Sequence, residues 1–296
     1  MTNQNPIETS AGTYLVTGAN GSNGKELIEL FVAQQVPVRA MVRSRAKAKE
    51  IELPGVEIVE GDFDKPETLR AALAGVKSAF LLTPSSERAQ QQQIGFVALA
   101  KESGVRRIVN LSQLHAAADS PNRFLRYHAA VEAAIKAAGL EYTFLRPNLF
   151  MQALLNFKST IAEKGEFYGA AGEGRVSIVD VRDIVEIAFA ALTQPGHVGK
   201  HYDITGPEAL THAEMAAQLS EALGRSIRYV DVPGAALKEM VLGVGFPLWQ
   251  ADGLVEEYAL YSEGEAAEVG SGVSEALGRE ARSFKDFARD YAGAFS

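Results

Sequence analysis

The stretch Thr17-Gly18-Ala19-Asn20-Gly21-Ser22-Asn23-Gly24 lies between a strand-like run, Thr13–Thr17, and a helical run near Asn23–Ala33. Glycines three apart at a strand-to-helix junction permit a tight turn, close approach of backbone amides to a diphosphate, and close contact between helix and strand. The amino end of the helix adds favourable potential for negative charge. An ordinary glycine-rich turn has the same spacing. The place of this one, between the first strand and first helix of a long series, decides for nucleotide binding. Gly18, Asn20, Gly21, Ser22, Asn23 and Gly24 are therefore candidate ligands of a pyrophosphate.

Outward from that loop, short apolar runs alternate with helical segments. Strands are expected at Thr13–Thr17, Val38–Val42, Val56–Val59, Ala79–Leu82, Ile108–Leu111 and Tyr142–Leu145, all six buried. Helices are expected near Asn23–Ala33, Glu67–Ala74, Arg88–Glu102 and Phe124–Ala138, long enough for right-handed crossovers between parallel strands. The fold class that follows is α/β: a Rossmann-type, doubly wound parallel sheet with a smaller, mostly helical C-terminal lobe. Residues 1–12 read as a flexible leader, 13–150 as the dinucleotide-binding core, and 151–175 with 206–296 as the smaller lobe. The chain is expected to return to the sheet at about 176–205, through strands Val176–Val179 and Tyr202–Ile204 around a helix over Asp183–Leu192. In the lobe, helices are expected near Leu149–Glu163, His212–Leu223, Ala235–Leu242 and Ser283–Ala292, with a strand at Ile227–Asp231. The glutamines Gln90–Gln93 are expected to face solvent.

Composition narrows the function classes. Over 296 residues, 29 basic side chains stand against 37 acidic, a net charge of −8, opposite to the field that binds a nucleic-acid backbone. With no cysteine, disulfides, thiolate metal sites and cysteine nucleophiles are excluded. The five histidines show no metal-ligand spacing, so no metal is expected. No run of apolar residues is long enough to span a bilayer, and the polar start lacks a secretory signal pattern. A cytoplasmic address is the default.

Loops after the strands carry the cofactor's remaining contacts. About twenty residues past the glycines, where an NAD site offers an acid to the ribose hydroxyls, the second strand ends in Met41-Val42-Arg43-Ser44-Arg45. A guanidinium there holds a 2′-phosphate by paired, charge-assisted hydrogen bonds, so Arg43 favours NADP(H), with NAD(H) still possible. The alternative is a solvated strand-end arginine; Arg45 and Lys47 are possible helpers. After the third strand, Asp62 and Phe63 stand where an adenine would lie, although Asp62 or Asp64 would equally cap a turn or the helix after Pro66. Leu82, Thr83 and Pro84 are expected beside the cofactor ribose, and Pro147, Asn148, Leu149 and Phe150 beside the nicotinamide.

The segments TGANGSNG (17–24), VRAMVRS (38–44), EGDFDKPETL (60–69), AFLLTP (79–84), RRIVNLS (106–112) and GLEYTFLRPNLFM (139–151) together resemble the NmrA-like, atypical branch of the short-chain dehydrogenase/reductase superfamily. Val179–Asp183 and Tyr202–Thr211 fit as well. The resemblance implies a Rossmann core, bound NADP(H), and a substrate cleft between core and lobe. On function it divides, since relatives include quinone and triphenylmethane-dye reductases and also silent regulators that bind the dinucleotide and report redox state to a partner.

The superfamily's Tyr-x-x-x-Lys dyad is absent. The resemblance registers Glu132 with the acid after that lysine and Arg146-Pro147 with a later Arg-Pro pair, which puts Phe124 at the tyrosine position and His128 at the lysine position. His128 and Glu132, four apart on one helical face, are spaced to interact directly, and an imidazole can shuttle a proton. Packing is the alternative for His128; Tyr127, with no lysine to activate it, is a candidate for the chemistry or for substrate contact, or else a plain helical tyrosine. Ser112 either binds a carbonyl oxygen or serves as a strand-end turn residue. Phe150 and Met151 either line an apolar acceptor pocket or pack in the core, and Tyr168, Phe246 and Trp249 are further pocket candidates. Asp180 and Asp183 read as helix-start residues.

A quinone or a cationic acceptor is already electrophilic, so positioning suffices for hydride transfer, whereas a ketone needs a donor on its developing alkoxide. The expected protein is an NADPH-dependent oxidoreductase for a small electrophilic substrate, monomer or homodimer. The alternative is a non-catalytic NADP(H) sensor that binds a protein partner.

Overall fold

The computed structural model describes residues 13–295; the leader expected over 1–12 lies outside them. The chain divides into two compact units. The first comprises residues up to Ala118, Leu125–Arg146 and Ile184–Tyr202; the second comprises Asp119–Phe124, Pro147–Asp183 and Asp203 onward.

In the first unit the chain runs β1 (Thr13–Val16), α1 (Ser22–Ala33), β2 (Val38–Val42), β3 (Val56–Glu60), α2 (Pro66–Leu73), β4 (Val76–Leu81), α3 (Ala89–Glu102), β5 (Arg107–Leu111), α4 (Arg123–Ala138) and β6 (Glu141–Pro147). A seven-stranded sheet forms in the order β3-β2-β1-β4-β5-β6-β9, where β9 is Lys200–Ile204. Five pairings, β1 with β2 and β4, β2 with β3, β4 with β5 and β5 with β6, are parallel. Central strands of a parallel sheet are covered on both faces and so read as unbroken apolar runs; all five residues of β5 are buried. β3, at the sheet edge, departs from the expectation that every strand is buried. Only Ile58 is buried there, while Glu57 and Glu60 are exposed, because one side of the strand has no neighbour. Helix α2 opens with Pro66, whose missing N–H costs nothing in a first turn.

The second unit contains a 3₁₀ segment, Met151–Phe157, then α5 (Lys158–Lys164), β7 (Glu166–Gly169) and β8 (Arg175–Val176). α6 (Val181–Thr193) carries the chain back to the first unit. β10 (Leu210–Thr211), α7 (His212–Leu223), β11 (Arg228–Asp231), α8 (Gly234–Gly243), α9 (Leu248–Ser262), α10 (Gly272–Leu277) and α11 (Phe284–Asp290) follow β9. β7 pairs with β11 and β8 with β10, both in separate two-stranded sheets. Met151, Phe167, Met215, Leu219, Phe284 and Phe287 lie in the buried core of this unit. Helix α7 starts with a capping box, Thr211 accepting from the Glu214 amide and Glu214 from the Thr211 amide.

Two further expectations are corrected here. The helix near Leu149–Glu163 does not begin at Leu149: Val179 donates to the Leu149 carbonyl and accepts from the Met151 amide, both at 2.8 Å, holding Phe150 extended between them. A 3₁₀ turn follows, and α-helix starts only at Lys158. The strand Val176–Val179 does not join the central sheet; its first residue pairs with β10 and Val179 makes the bridge to Phe150. Helix α9, fifteen residues long, was not expected at all. Among the described residues no helix is long and apolar enough to cross a membrane.

Candidate functional site

β1 pairs with β2 on one side and β4 on the other, so the chain reverses its direction of sheet growth at β1. Ligands of doubly wound sheets bind beyond the carboxyl ends of the strands at such a switch point. The glycine loop occupies it. Gly18 has φ +62°, a left-handed conformation suited to glycine, and its carbonyl accepts from the Gly21 amide at 2.9 Å. Gly21 is the N-cap of α1, and the first intrahelical bond runs from the Lys25 amide to its carbonyl. The amides of Ser22, Asn23 and Gly24 therefore belong to the first turn, which has no helical acceptors for them. A Cβ on Gly24 would stand 2.3 Å from the Gly18 carbonyl oxygen, so the loop and the helix start touch backbone to backbone. The first turn contains no acid, and the buried Asn23 Oδ1 has no hydrogen-bond partner. Open amides, a backbone cradle and an orphaned side-chain amide oxygen fit a ligand that combines anionic oxygens with hydrogen-bond donors.

Thr17, missed as a functional candidate, locks this loop to the one after β4. Its hydroxyl lies 3.1 Å from the Phe80 carbonyl and 2.9 Å from the Leu82 carbonyl, and accepts from the Leu82 amide at 2.8 Å. Leu82 is half-buried, Pro84 exposed and Thr83 buried. Thr83 is held from behind: Gln93 on α3 donates to its hydroxyl at 2.9 Å and accepts from Asn110 on β5 at 3.0 Å. Gln93 is only 1 % exposed, which corrects the expectation that all four glutamines face solvent. The signal was present in the helix period, since Gln93 shares a face with Phe96, Val97 and Ala100.

At the end of β2, Arg43 is exposed and pairs with no acid among the described residues. Arg45 and Lys47 are exposed on the following 3₁₀ turn, and the Arg45 amide donates to the Glu60 carboxylate at 2.8 Å. Asp62 is half-buried and accepts from the Asp64 amide at 3.1 Å, so one carboxylate oxygen closes a turn. Asp64 does not cap α2; it pairs with Arg88 at 2.8 Å and Gln92 at 3.0 Å. The Phe63 ring packs 5.7 Å from Phe96.

The expected His128–Glu132 interaction does not form. Glu132 is taken by a closer set of donors: Arg146 binds it through two nitrogens at 2.9 and 2.6 Å, and Ser112 donates to it at 2.7 Å. Two Arg146 nitrogens and the Ser112 hydroxyl all donate to the one Glu132 carboxylate. The Ser112 proton is therefore directed at Glu132, and the hydroxyl offers other partners lone pairs. His128, 8 % exposed, stands with Nδ1 buried and unpartnered. Burial pushes its imidazole from the usual 6.5 down to about 3, so it is neutral at physiological pH. Its ring lies 4.0 Å from that of Tyr127, whose hydroxyl is 3.1 Å from that of Ser85.

In the second unit, Pro147 is buried and the Asn148 side chain donates to Ser177 and to the Ala266 carbonyl, both at 2.9 Å, while accepting from the Leu149 amide. Met151 is wholly buried in the core. Phe150, Tyr168, Phe246 and Trp249 are each half-buried. The Tyr168 hydroxyl donates to Glu166 at 2.5 Å, and the Trp249 ring packs 5.4 Å from Phe124 with the Arg123 guanidinium 5.6 Å from its centroid. Asp180 accepts from the Arg182 amide as a helix-start residue. Asp183 instead accepts from Arg279 and Arg282.

Known proteins resemble this arrangement along most of the chain. The chain is 41 % identical over 281 residues to an NAD(P)H azoreductase of Xenophilus azovorans, covering 95 % of this chain and 98 % of that one. It is 30 % identical to quinone oxidoreductase 2 of Escherichia coli over 268 residues, covering 89 % and 93 %. The crystal structure of that oxidoreductase with NADPH superposes with a TM-score of 0.83 at 27 % identity, covering 94 % of this chain and 99 % of that one. A Citrobacter triphenylmethane reductase complexed with NADP(H) gives 0.83 at 28 % identity, with coverages of 94 % and 99 %. The description of the NmrA-like family matches residues 10–292. With the doubly wound sheet and the loop at its switch point, this establishes that the chain belongs to the NmrA-like family.

Proposed function

We propose that the protein is an NADPH-dependent reductase that delivers hydride to a small, flat, electrophilic acceptor such as a quinone. The observation that carries this reading is the backbone cradle at Gly18–Gly24 with an unpaired guanidinium, Arg43, at the end of the adjacent strand. The first-turn amides of α1 bind the diphosphate, and Arg43 meets the 2′-phosphate of NADP(H) by charge-assisted hydrogen bonds. Asp62, through its second carboxylate oxygen, and Phe63 border the adenine. Leu82, Thr83 and Pro84, fixed by Thr17 and Gln93, bound the ribose side of the nicotinamide. The reduced nicotinamide, when bound, supplies the hydride.

Acceptor class follows from the polar groups at the end of β5 and on α4. Ser112 gives its proton to Glu132, and His128 is neutral and buried, so neither supplies an acid to a developing alkoxide. Acceptors that are electrophilic before they bind are favoured over simple ketones. Of the second unit's candidates, Phe150, Tyr168, Phe246 and Trp249 are half-buried aromatics, a character suited to a flat apolar molecule; Met151 is wholly buried. The azoreductase and quinone oxidoreductase names of the relatives support an enzyme over a silent sensor. A cytoplasmic monomer or homodimer completes this reading.

The test is the loss of NADPH absorbance with a panel of quinones, azo dyes, cationic dyes and simple ketones, beside a binding titration. Turnover of the electrophilic acceptors with none of the ketones is expected. Tight NADPH binding with no turnover of any acceptor would overturn the reductase reading in favour of the sensor.

A further inference from the structure

Two side-chain amides are buried where apolar groups would cost less. Asn110 stands between Val109 and Leu111 in β5 and is wholly buried, and Gln93 on α3 is 1 % exposed. A buried amide is unfavourable unless its polar atoms are paired. The pairing here has a direction. The Leu81 carbonyl can only accept, so it fixes the Asn110 nitrogen, which lies 3.3 Å from it and 3.0 Å from the Gln93 Oε1. With its oxygen taken, Gln93 turns its nitrogen to the Thr83 hydroxyl at 2.9 Å. Thr83 is therefore an acceptor towards α3, and the single proton of its hydroxyl is left for another partner. No acceptor for that proton stands among the described residues, and the Asn110 Oδ1, buried in the same network, does not take it. Thr83 is 4 % exposed, so an unspent donor there is costly.

The loop that carries Thr83 is locked to the glycine loop. The Thr17 hydroxyl binds the Leu82 amide at 2.8 Å and the Leu82 carbonyl at 2.9 Å, and a Cβ on Gly18 would stand 3.1 Å from that carbonyl oxygen. Thr83 follows directly on a residue in contact with Gly18. Apolar residues of similar shape in place of the amides would hold β4, β5 and α3 together at little cost. What the amides add is a direction for one hydroxyl. Resting on the coenzyme site of the reductase reading above, we infer that Gln93 and Asn110 are positioning residues: they turn the Thr83 proton towards the bound coenzyme, where it donates to a ribose oxygen on the nicotinamide side. The bond orients the coenzyme and transfers no proton to the acceptor.

The experiment measures NADPH and NADH dissociation constants by calorimetric titration of wild type, Thr83→Val, Thr83→Ser, Gln93→Glu and the double variant Thr83→Val, Gln93→Glu, with thermal melts to establish that each is folded. Thr83→Val is expected to weaken both coenzymes equally, by about threefold to tenfold, because they share that ribose oxygen; Thr83→Ser keeps affinity within about twofold. A carboxylate at position 93 accepts from Asn110 as the amide does, but draws the Thr83 proton inward. Gln93→Glu is therefore expected to cost at least as much as Thr83→Val, and to cost little further in the Thr83→Val background. Should the carboxylate prevent folding, Gln93→Met removes the donor without a charge and enters the same cycle, its loss again confined to proteins that keep the Thr83 hydroxyl. Equal losses in both backgrounds, a Thr83→Val loss restricted to NADPH, or no loss at all would overturn the assignment. Wild-type protein that binds neither coenzyme would bring down the coenzyme site itself, and one that binds NADPH yet reduces no acceptor would bring down the reductase reading alone.

Discussion

Arg43 is legible as a candidate ligand because of what surrounds it. A strand-end arginine in solvent is ordinary, but this one forms no ion pair among the described residues, and the glycine loop precedes a first turn that holds no acid. A charge-assisted hydrogen bond to phosphate contributes about 1.5–3 kcal/mol, or roughly ten- to a hundredfold in affinity. Arg43→Ala is therefore expected to weaken NADPH binding by about that factor and NADH binding by little, measured by calorimetric titration with each coenzyme. Equal losses would remove the 2′-phosphate assignment. His128 shows the opposite lesson. Its residue type suggested proton chemistry, and its burial withdraws it.

At the scale of elements, the site depends on side chains that pin one strand or helix to the next. Glu132 joins α4 to β5 through Ser112 and to β6 through Arg146. Both partners of the ion pair are shielded, Glu132 nearly completely. Removing one member of a buried pair leaves the other charge desolvated, at a cost of about 3–5 kcal/mol. Glu132→Ala is expected to lose stability on that scale, read from the urea midpoint at neutral pH; a loss below about 1 kcal/mol would show that Arg146 finds water instead. The helical spacing of His128 and Glu132 was visible in sequence, but spacing only permits a contact. Arg146, fourteen residues further along the chain, competes for the same carboxylate with two nitrogens and a full charge, and wins.

For the whole molecule, buried histidines couple folding to acid. Burial lowers His128 from 6.5 to about 3 and His212 from 6.5 to about 4, and His197 shifts the same way. The unfolded chain binds protons at these sites as pH falls below 6.5, while the folded chain stays neutral there. Stability is therefore expected to decline on acidification, by about 1 kcal/mol per pH unit for each buried imidazole, until the folded values are reached. Between pH 6.5 and 4.5 this effect precedes protonation of the paired carboxylates Glu166, Glu214, Asp286 and Asp290, whose values are lowered by their partners. Urea midpoints across that window should fall for wild type and flatten in a His128→Gln, His212→Gln double variant. An unchanged slope would mean that neither imidazole is neutral in the folded chain.

The amino-acid order by itself determined the alternation of strand and helix, the glycine loop at the first strand-to-helix junction and the position of Arg43. These depend on local periodicity and on glycine's freedom of backbone, both complete within about twenty residues. It did not reveal α9, where Asp252, Gly253, Glu256 and Glu257 interrupt the apolar residues. Nor did it reveal that Val179 bridges to Phe150 and delays a helix, that Gln93 and Thr17 fix the loop after β4, or that Ser112 faces Glu132 with its proton. Each of those depends on which polar group finds a partner distant in sequence. Only the folded chain decides that competition, because burial makes every unpaired donor or acceptor costly.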